Sequence, residues 1–201
     1  QVISTAADGA WSVYAADVDN DGDLDVLSAS NIDNKIAWYE NSVIPPDATP
    51  TPTPTLAPTP IPFGEQQIIS TSADEARSVY AADVDGDGDL DVLSASNYDN
   101  KIAWYKNTDG AGTFGAQQVI STAAESAYSV YAADLDGDGD VDALSASRHD
   151  NKIAWYRNTD GAGTFGPQQV ISTAVDDPFS VYAADLDGDG DADVLSASRR
   201  D

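Results

Sequence analysis

The chain has 201 residues, with 35 acidic side chains against 9 basic ones and a formal net charge of -26. Because this excess of negative charge repels other polyanions, it excludes nucleic acid and anionic membrane surfaces as partners. Cysteine is absent, so neither disulfide bonds nor thiolate metal sites are expected. No apolar run reaches the length of a membrane span, and we expect no membrane insertion. The chain also lacks methionine and a signal peptide, which indicates a mature product or a segment of a longer protein.

The first distinctive element is a nine-residue loop, Asp-x-Asp-x-Asp-Gly-Asp-x-Asp, which begins at Asp17 and occurs four times. Carboxylates at loop positions 1, 3 and 5 of such a turn converge, the glycine at position 6 reverses the chain, and position 7 offers its carbonyl. A further carboxylate stands at position 9. Because hard oxygen ligands in this number suit calcium better than magnesium, zinc or copper, we predict one calcium ion per loop, four in total. The candidate metal ligands are Asp17, Asp19, Asp21, Asp23, Asp25, Asp83, Asp85, Asp87, Asp89, Asp91, Asp134, Asp136, Asp138, Asp140, Asp142, Asp185, Asp187, Asp189, Asp191 and Asp193.

Two other interpretations of these loops carry less weight. An isolated Asp-Gly run is commonly a solvated turn, but four copies in the same register argue against that reading. An EF-hand has a similar first half, but it requires an acidic residue at position 12, where this chain has serine. Each loop is followed by Val-Leu-Ser-Ala-Ser or Ala-Leu-Ser-Ala-Ser, which is typical of a strand, so a β-hairpin loop fits better.

The loops mark a repeat of 51 residues, since their first residues stand at 17, 83, 134 and 185. Around each loop recur strand-like segments such as Ser-Val-Tyr-Ala-Ala-Asp and Asn-Lys-Ile-Ala-Trp-Tyr, and nothing indicates a helix. About four short strands in a unit of about 50 residues is typical of a β-propeller blade. We place repeat 1 at 1–42, a Pro/Thr-rich linker at 43–62, repeats 2 and 3 at 63–113 and 114–164, and an incomplete repeat 4 at 165–201.

Three features resemble the FG-GAP repeat, the calcium-binding blade of integrin α-subunit propellers and of many bacterial VCBS-type secreted proteins. They are Phe114-Gly115, the Asp-rich hairpin, and Ser145-Ala146-Ser147 at the place of Gly-Ala-Pro. The resemblance covers nearly the whole chain. It implies an all-β fold of tandem four-stranded propeller-type blades, each with a calcium-binding hairpin loop. The chain departs from the family in its Ser-Ala-Ser and in having four repeats where a propeller usually has seven.

The linker holds the 15 extra residues of the first spacing (66 - 51 = 15) and eight of the ten prolines. Its alternating Thr-Pro run favours an extended polyproline II conformation or an irregular surface loop. Because such runs are typical of O-glycosylated stalks, we predict glycosylation of the five threonines. These are Thr49, Thr51, Thr53, Thr55 and Thr59.

The calcium loops favour an extracellular or cell-surface protein. Extracellular sites bind calcium with dissociation constants of roughly 0.1 to 1 mM and are filled only outside the cell. Gln1 aligns with Gln67 and Asp201 with Asp150, so the first and fourth repeats each lack a strand segment. Because unfinished blades leave strand edges unpaired, we predict head-to-tail self-association with another chain or with further repeats.

Two sets of side chains recur at fixed positions of the repeat. Trp38, Trp104 and Trp155 are predicted to pack between blades, with a carbohydrate platform as the alternative. At another position the residue differs in every repeat, which indicates a surface contact. Its four occupants are Trp11, Arg77, Tyr128 and Phe179.

No catalytic constellation recurs, and the single histidine, His149, has no equivalent in the other repeats, so we do not expect an enzyme. The sequence predicts an extracellular, calcium-stabilised structural or adhesive repeat protein and a candidate protomer of a head-to-tail filament. One alternative is a carbohydrate-binding, lectin-like propeller. The other is a non-catalytic appendage of a secreted enzyme.

Overall fold

In the computed structural model of this protein, residues 2–42 and 63–200 are described. These residues form fourteen β-strands and no helix. The strands are β1 (Ala10–Ala16), β2 (Asp25–Ser30), β3 (Lys35–Tyr39), β4 (Gln67–Ser70), β5 (Ala76–Ala82), β6 (Asp91–Ser96), β7 (Lys101–Tyr105), β8 (Gln118–Ser121), β9 (Ala127–Ala133), β10 (Asp142–Ser147), β11 (Lys152–Tyr156), β12 (Gln169–Ser172), β13 (Pro178–Ala184) and β14 (Asp193–Ser198).

The strands form three four-stranded sheets and one two-stranded sheet, all antiparallel. Strand order follows the chain, with β1 to β4, β5 to β8 and β9 to β12 in the larger sheets and β13 paired with β14. The predicted all-β chain of tandem four-stranded units is therefore confirmed, and no sheet within the described ranges closes into a barrel. The propeller arrangement of these sheets stays a prediction.

Each four-stranded sheet takes its last strand from the following sequence repeat. β4 belongs by sequence to the second repeat, yet it pairs with β3 through Trp38 and Gln67. β8 joins β7 and β12 joins β11 in the same way. The sheets therefore overlap the repeat boundaries placed from the sequence, and each pair of consecutive repeats is joined through a shared sheet.

The Pro/Thr-rich segment leaves and re-enters the fold at one place. Asn41 forms a β-bridge with Phe63, and the N–H of Gly64 donates to the carbonyl of Glu40 at 2.7 Å. The second repeat makes the same bridge between Asn107 and Phe114, around a loop of only six residues. The segment is therefore an insertion in the connection between β3 and β4 of a single sheet. Residues 43–62, with the five threonines predicted to be glycosylated, lie outside the described residues.

Among the described residues, the hydrophobic core consists of three layers, each between two consecutive sheets. The first layer combines Leu27 and Trp38 of one sheet with Val79 and Tyr105 of the next. The second and third layers repeat this arrangement with the corresponding residues. Trp38 and Trp104 are only 3% and 2% exposed. The prediction that the recurring tryptophans pack between units is therefore confirmed for these two, and neither is accessible as a sugar platform.

A glycine-rich loop in one repeat covers the tryptophan of the preceding repeat. A Cβ atom on Gly112 would lie 2.3 Å from Cζ2 of Trp38, and Gly163 stands in the same relation to Trp104. The φ angles of these glycines, +80° and +83°, are also ones that other residues adopt at a cost. Both packing and backbone conformation thus require glycine where consecutive repeats meet.

The first strands of the four sheets present one tyrosine each to a continuous row. Neighbouring ring centroids along Tyr14, Tyr80, Tyr131 and Tyr182 are 4.7, 4.6 and 4.6 Å apart. Burial, followed by the adjacent hydroxyl groups, raises the pKa of Tyr80, so its phenol stays neutral. The row holds the first strands in register, and an Asp-rich loop follows the end of each of these strands.

Candidate metal centre

Each Asp-rich loop connects the first and second strands of one sheet, and three of its carboxylates converge. One oxygen each from positions 1, 3 and 9 lies within 4.8 Å of the other two in all four loops. The groups are Asp17, Asp19 and Asp25; Asp83, Asp85 and Asp91; Asp134, Asp136 and Asp142; and Asp185, Asp187 and Asp193. Positions 5 and 7, also predicted as ligands from the sequence, lie outside these groups.

The carboxylate at position 1 holds the turn closed. Oδ2 of Asp17 accepts a hydrogen bond from the N–H of Gly22 at 3.1 Å, and Asp83 accepts one from Gly88 at 3.0 Å. These glycines have φ angles of +95° and +94°, which turn the chain back toward the first carboxylate. The local sequence thus directs the first aspartate into the loop centre.

In the first three loops, the carboxylate at position 9 is the buried member of the group. Asp25, Asp91 and Asp142 have no exposed surface, although a carboxylate is rarely buried without partners. Oδ2 of Asp91 accepts from the N–H of Val84 at 3.0 Å, and Oδ1 accepts from the N–H of Asn107 at 2.8 Å. This residue therefore ties the loop to the chain that follows the third strand of the sheet.

Burial sets the electrostatics of position 9. It raises the pKa of Asp91 to about 7 and that of Asp142 to about 6, although the backbone N–H donors lower both values. The carboxylates at positions 3 and 5 of the same loop raise them further. A divalent cation would offset this cost, because it supplies the positive charge that the buried carboxylates lack.

Positions 5 and 7 make contacts within the loop and to the preceding repeat. Oδ1 of Asp21, at position 5, accepts from the N–H of Asp23 at 2.9 Å. Asp89, at position 7 of the second loop, accepts from Nδ2 of Asn20 in the first loop at 2.9 Å. These side chains shape the loop and connect it to its neighbour.

Basic side chains, which sequence reasoning missed, lie on the second and third loops. Nζ of Lys106 contacts the carboxylates of Asp85 and Asp87, the latter at 3.0 Å. Arg157 lies 3.1 Å from Asp136 and 2.8 Å from Asp138. The available signal was the residue after each Trp-Tyr pair, which is glutamate in the first repeat and basic in the next two.

The residues present fit a hard divalent cation. Oδ1 of Asp85 is buried and has no hydrogen-bond partner among the described residues, and its side chain is only 7% exposed. Oδ1 of Asp17 is orphaned in the same way. A buried carboxylate oxygen without a partner is costly, and coordination to a cation would satisfy both atoms. All-oxygen groups of this kind are the donors that calcium prefers.

A family model described as FG-GAP-like repeat matches the chain three times, at residues 20–94, 83–145 and 134–196. This chain belongs to the FG-GAP-like repeat family. The resemblance stated from the motifs is thereby confirmed. FG-GAP repeats often bind calcium, typically occur in extracellular proteins and are generally non-catalytic. No curated protein matches the sequence.

An asparagine couples consecutive FG-GAP-like repeats next to the loops. Nδ2 of Asn107 donates to the carbonyl of Val18 in the preceding loop at 3.0 Å, and Asn158 donates to Val84 at 2.9 Å. The N–H of Asn158 also donates to Asp142 of its own loop. The only sequence signal was an asparagine at a fixed place in the repeat, and its partner lies more than 70 residues away. The first and second loops are therefore braced by the repeat that follows each of them.

The start of each first strand, remote from the loops, carries the position that differs in every repeat. We call Trp11, Arg77, Tyr128 and Phe179 the bulge row, because each is the extra residue of a β-bulge. The guanidinium carbon of Arg77 lies 4.1 Å from the ring centroid of Trp11 and 5.0 Å from that of Tyr128. Arg148 lies 4.5 Å from both Tyr128 and Phe179. Cations and rings thus alternate along this end.

Membrane insertion was not expected from the sequence. In the ranges that the structure describes, no helix is long and apolar enough to cross a membrane. The expectation that the FG-GAP-like chain is not an enzyme stays a prediction.

Proposed function

We propose that this protein is an extracellular, calcium-stabilised structural or adhesive repeat protein built from propeller-type blades, with one calcium ion in each Asp-rich loop. The observation that carries the proposal is the convergence of positions 1, 3 and 9 in all four loops. Membership of the FG-GAP-like family supports it, because repeats of this family often bind calcium.

Within each loop, different positions would hold different sides of the cation. Positions 1 and 3 would hold the cation from the turn, and position 9 would hold it from the start of the second strand. Backbone N–H groups bonded to position 9 connect it to the chain after the third strand. Calcium supplies the positive charge that lets these carboxylates remain close together. Four ions would change the formal net charge from -26 to -18, since -26 + 8 = -18. A bound ion would therefore stabilise the connection between the first two strands of a sheet, in the way that disulfides stabilise small extracellular domains.

Chelation tests this function directly. Excess chelator should lower the melting temperature of the chain sharply, because repulsion among the loop carboxylates then goes uncompensated. Calcium at millimolar concentration should restore the melting temperature, and magnesium should restore it less, since magnesium demands stricter octahedral geometry. A melting curve that is the same in chelator and in calcium would refute the proposal.

We also propose head-to-tail association of this chain, which two exposed sheet faces support. Val79, Val130 and Val181 are 4 to 5% exposed under the preceding sheet, whereas the equivalent Val13 is 69% exposed. At the other end Leu195 is 37% exposed, although its equivalents in the earlier sheets are fully buried. We call the exposed side of the first sheet the Val13 face and that of the last sheet the Leu195 face. Because the repeats are nearly identical, these two faces match the two sides of each internal layer and are complementary to each other. A second copy, or further repeats, would reproduce the internal layer, and such a heterologous contact extends into a filament.

Sedimentation of the 201-residue chain in calcium tests the association. We expect the weight-average mass to rise with protein concentration, and we expect Val13→Lys to abolish that rise because it places a charge in the apolar layer. A chain that stays monomeric at high concentration in calcium would refute head-to-tail association. This result would leave calcium binding itself intact.

Glycosylation of the inserted segment is a separate part of the proposal. Thr49, Thr51, Thr53, Thr55 and Thr59 alternate with prolines or stand near them, as in O-glycosylated stalks. Because the insertion begins and ends at the Asn41–Phe63 bridge, sugars there would extend from one edge of the first sheet. The intact mass of native material should exceed 21.0 kDa by whole sugar increments. A mass equal to that of the bare chain would refute it.

A second candidate function is saccharide binding at the start of the first strands. Trp11 in the bulge row is 51% exposed, and Tyr98, on the neighbouring hairpin, is 74% exposed. Aromatic faces with nearby polar groups suit amphipathic ligands. A glycan array should detect binding that Trp11→Ala removes, with Val13→Ala as the matched control on the same strand. An array without any signal would remove this candidate.

A further inference from the structure

The calcium loops differ in one neighbouring charge, although their own carboxylates are the same. The residue directly after each Trp-Tyr pair is Glu40 in the first repeat, Lys106 in the second and Arg157 in the third. It follows the third strand of its sheet and precedes the asparagine whose N–H binds position 9 of the loop. The three residues therefore occupy equivalent places beside three equivalent loops.

In the second and third repeats this residue forms salt bridges with the loop carboxylates. Nζ of Lys106 contacts Asp85, a member of the converging group, and lies 3.0 Å from Asp87. Arg157 makes the corresponding pair of contacts in the third loop, at 3.1 Å to Asp136 and 2.8 Å to Asp138. A cation that takes the carboxylate at position 3 must therefore share it with, or displace, a side chain that is already positively charged.

In the first repeat the same place carries a negative charge. Glu40 occupies the place from which Lys106 and Arg157 reach position 3 of their loops. A carboxylate at this place adds negative charge beside the loop, where the other two repeats add positive charge. This difference in charge favours a cation in the first loop over the second.

We propose that the residue after each Trp-Tyr pair sets the calcium affinity of its loop, with Glu40 strengthening the first site and Lys106 and Arg157 weakening the second and third. This inference rests on the proposed function, because it concerns how tightly the same loops bind calcium. It makes the array graded: the first loop fills at lower calcium concentration, and the basic loops fill only as the concentration rises. Below that higher range, Lys106 and Arg157 offset part of the repulsion among the carboxylates of their loops.

Coulomb's law gives the size of the effect. Exchanging a positive for a negative side chain at about 6 Å from a divalent cation changes its affinity by about a hundredfold in water. Physiological salt reduces this to about tenfold, because the Debye length is then about 8 Å. The first loop should therefore bind calcium at least about tenfold more tightly than the second.

The loop glycines allow each site to be followed separately in the intact chain. The N–H groups of Gly22, Gly88 and Gly139 donate to the first aspartate of their own loops, so their amide chemical shifts report on the occupancy of each loop. In a calcium titration of ¹⁵N-labelled protein, we expect the Gly22 shift to saturate first. Glu40→Lys should raise the midpoint at Gly22 by about tenfold or more, and Lys106→Glu should lower the midpoint at Gly88 by a similar factor.

A matched control separates local charge from net charge. Lys101→Glu makes the same charge change as Lys106→Glu, but Lys101 lies at the other end of β7, about 17 Å away. It should leave the Gly88 midpoint nearly unchanged. Lys106→Gln, which removes the charge without reversing it, serves if the glutamate variant does not fold, and it should give about half the logarithmic shift.

Three outcomes are informative. Separate midpoints that follow the exchanged charges support the inference. Equal midpoints at all loops, unmoved by the exchanges, overturn it while leaving calcium binding in place. Glycine amides that do not respond to millimolar calcium at all refute the proposed function and this inference with it.

Discussion

The two ends of the first strands differ in how much their residues vary between repeats. At the loop end every carboxylate is present in all four repeats, and three of them converge on one point. At the other end the bulge row holds tryptophan, arginine, tyrosine and phenylalanine in turn. The same strand thus joins a constant end to a variable one. The constant end is where the chain needs specific chemistry to hold its own fold.

Exposure alone does not explain the variable end. The residues at Thr5, Thr71, Thr122 and Thr173 are exposed in every repeat and are nevertheless the same. Arg77 and Tyr128 in the bulge row are instead only 9% and 6% exposed, yet they differ. The differences in the bulge row also allow cation–π stacking, because the guanidinium of Arg77 packs between the rings of Trp11 and Tyr128. Each repeat thus contributes a different side chain to one row of stacked rings and cations.

The largest effect should come from a buried carboxylate at the loop end. Asp91→Ala leaves the N–H groups of Val84 and Asn107 without acceptors, and we expect a loss of about 3 to 5 kcal/mol in the free energy of unfolding. Urea denaturation in excess chelator measures this loss without any contribution from calcium. Asp23→Ala, at a half-buried position outside the converging group, should change stability by less than about 1 kcal/mol. Equal losses in both variants would contradict the division of roles within the loop.

A slightly smaller loss of stability should follow from adding a methyl group where the glycine-rich loop packs on the tryptophan of the preceding repeat. Gly112→Ala adds a methyl group 2.3 Å from Trp38 at a φ angle of +80°, and we expect a loss of about 3 kcal/mol from strain and overpacking. Gly137→Ala is the matched control, because Gly137 has a φ angle of +77° and nothing within 4 Å of its added Cβ. It should cost about 1 kcal/mol in thermal or urea unfolding. Equal losses would show that Trp38 does not confine the glycine.

The pH dependence of stability should distinguish the metal-free loops from the loaded ones. Asp91 has a pKa of about 7 in the folded chain, above its ordinary value of 3.8, so the folded state binds the proton more tightly. Stability in chelator should therefore fall as the pH rises from about 4 to 7, with Asp142 contributing up to about pH 6. Calcium removes this fall, because the ion favours the charged carboxylates. Urea midpoints across this range that are flat in chelator would contradict it.

The smallest effect should come from the variable end. Trp11 is 51% exposed, so Trp11→Ala should cost less than about 1.5 kcal/mol in urea unfolding. Trp104→Ala, in the core between two sheets, should cost about 3 to 5 kcal/mol. If both substitutions cost the same, the bulge row would be part of the folding core, and the contrast between the two ends would not hold.

Local patterns were sufficient to predict the loops, the strands and the buried tryptophans. Asp17 to Asp25 form a turn whose geometry depends on nearby residues, and Trp38 recurs at a fixed place in a strand-like segment. Contacts between repeats were not predictable in this way. Pairing of Gln67 with Trp38 and the bond from Asn107 to Val18 join residues that are distant in the chain. The sequence pattern gives their recurrence but not their partners.

The candidate ligand set shows the same limit. Five aspartates in nine residues all look equivalent as potential ligands, but only positions 1, 3 and 9 converge. Position 9 is selected by burial and by the N–H of an asparagine 16 residues later, such as Asn107 for Asp91. Lys106 was missed because its side chain reaches Asp85 across the sheet. The sequence was therefore sufficient to predict groups of carboxylates at the loops. Which carboxylates converge, and which side chains contact them, required the folded structure.

Equilibrium dialysis against calcium tests the central claim most directly. At millimolar free calcium the 201-residue chain should retain four calcium ions, one for each group at positions 1, 3 and 9. Asp136→Ala should remove one ion and leave the other three. A chain that retains no calcium above the level of a control protein of similar charge would contradict the account.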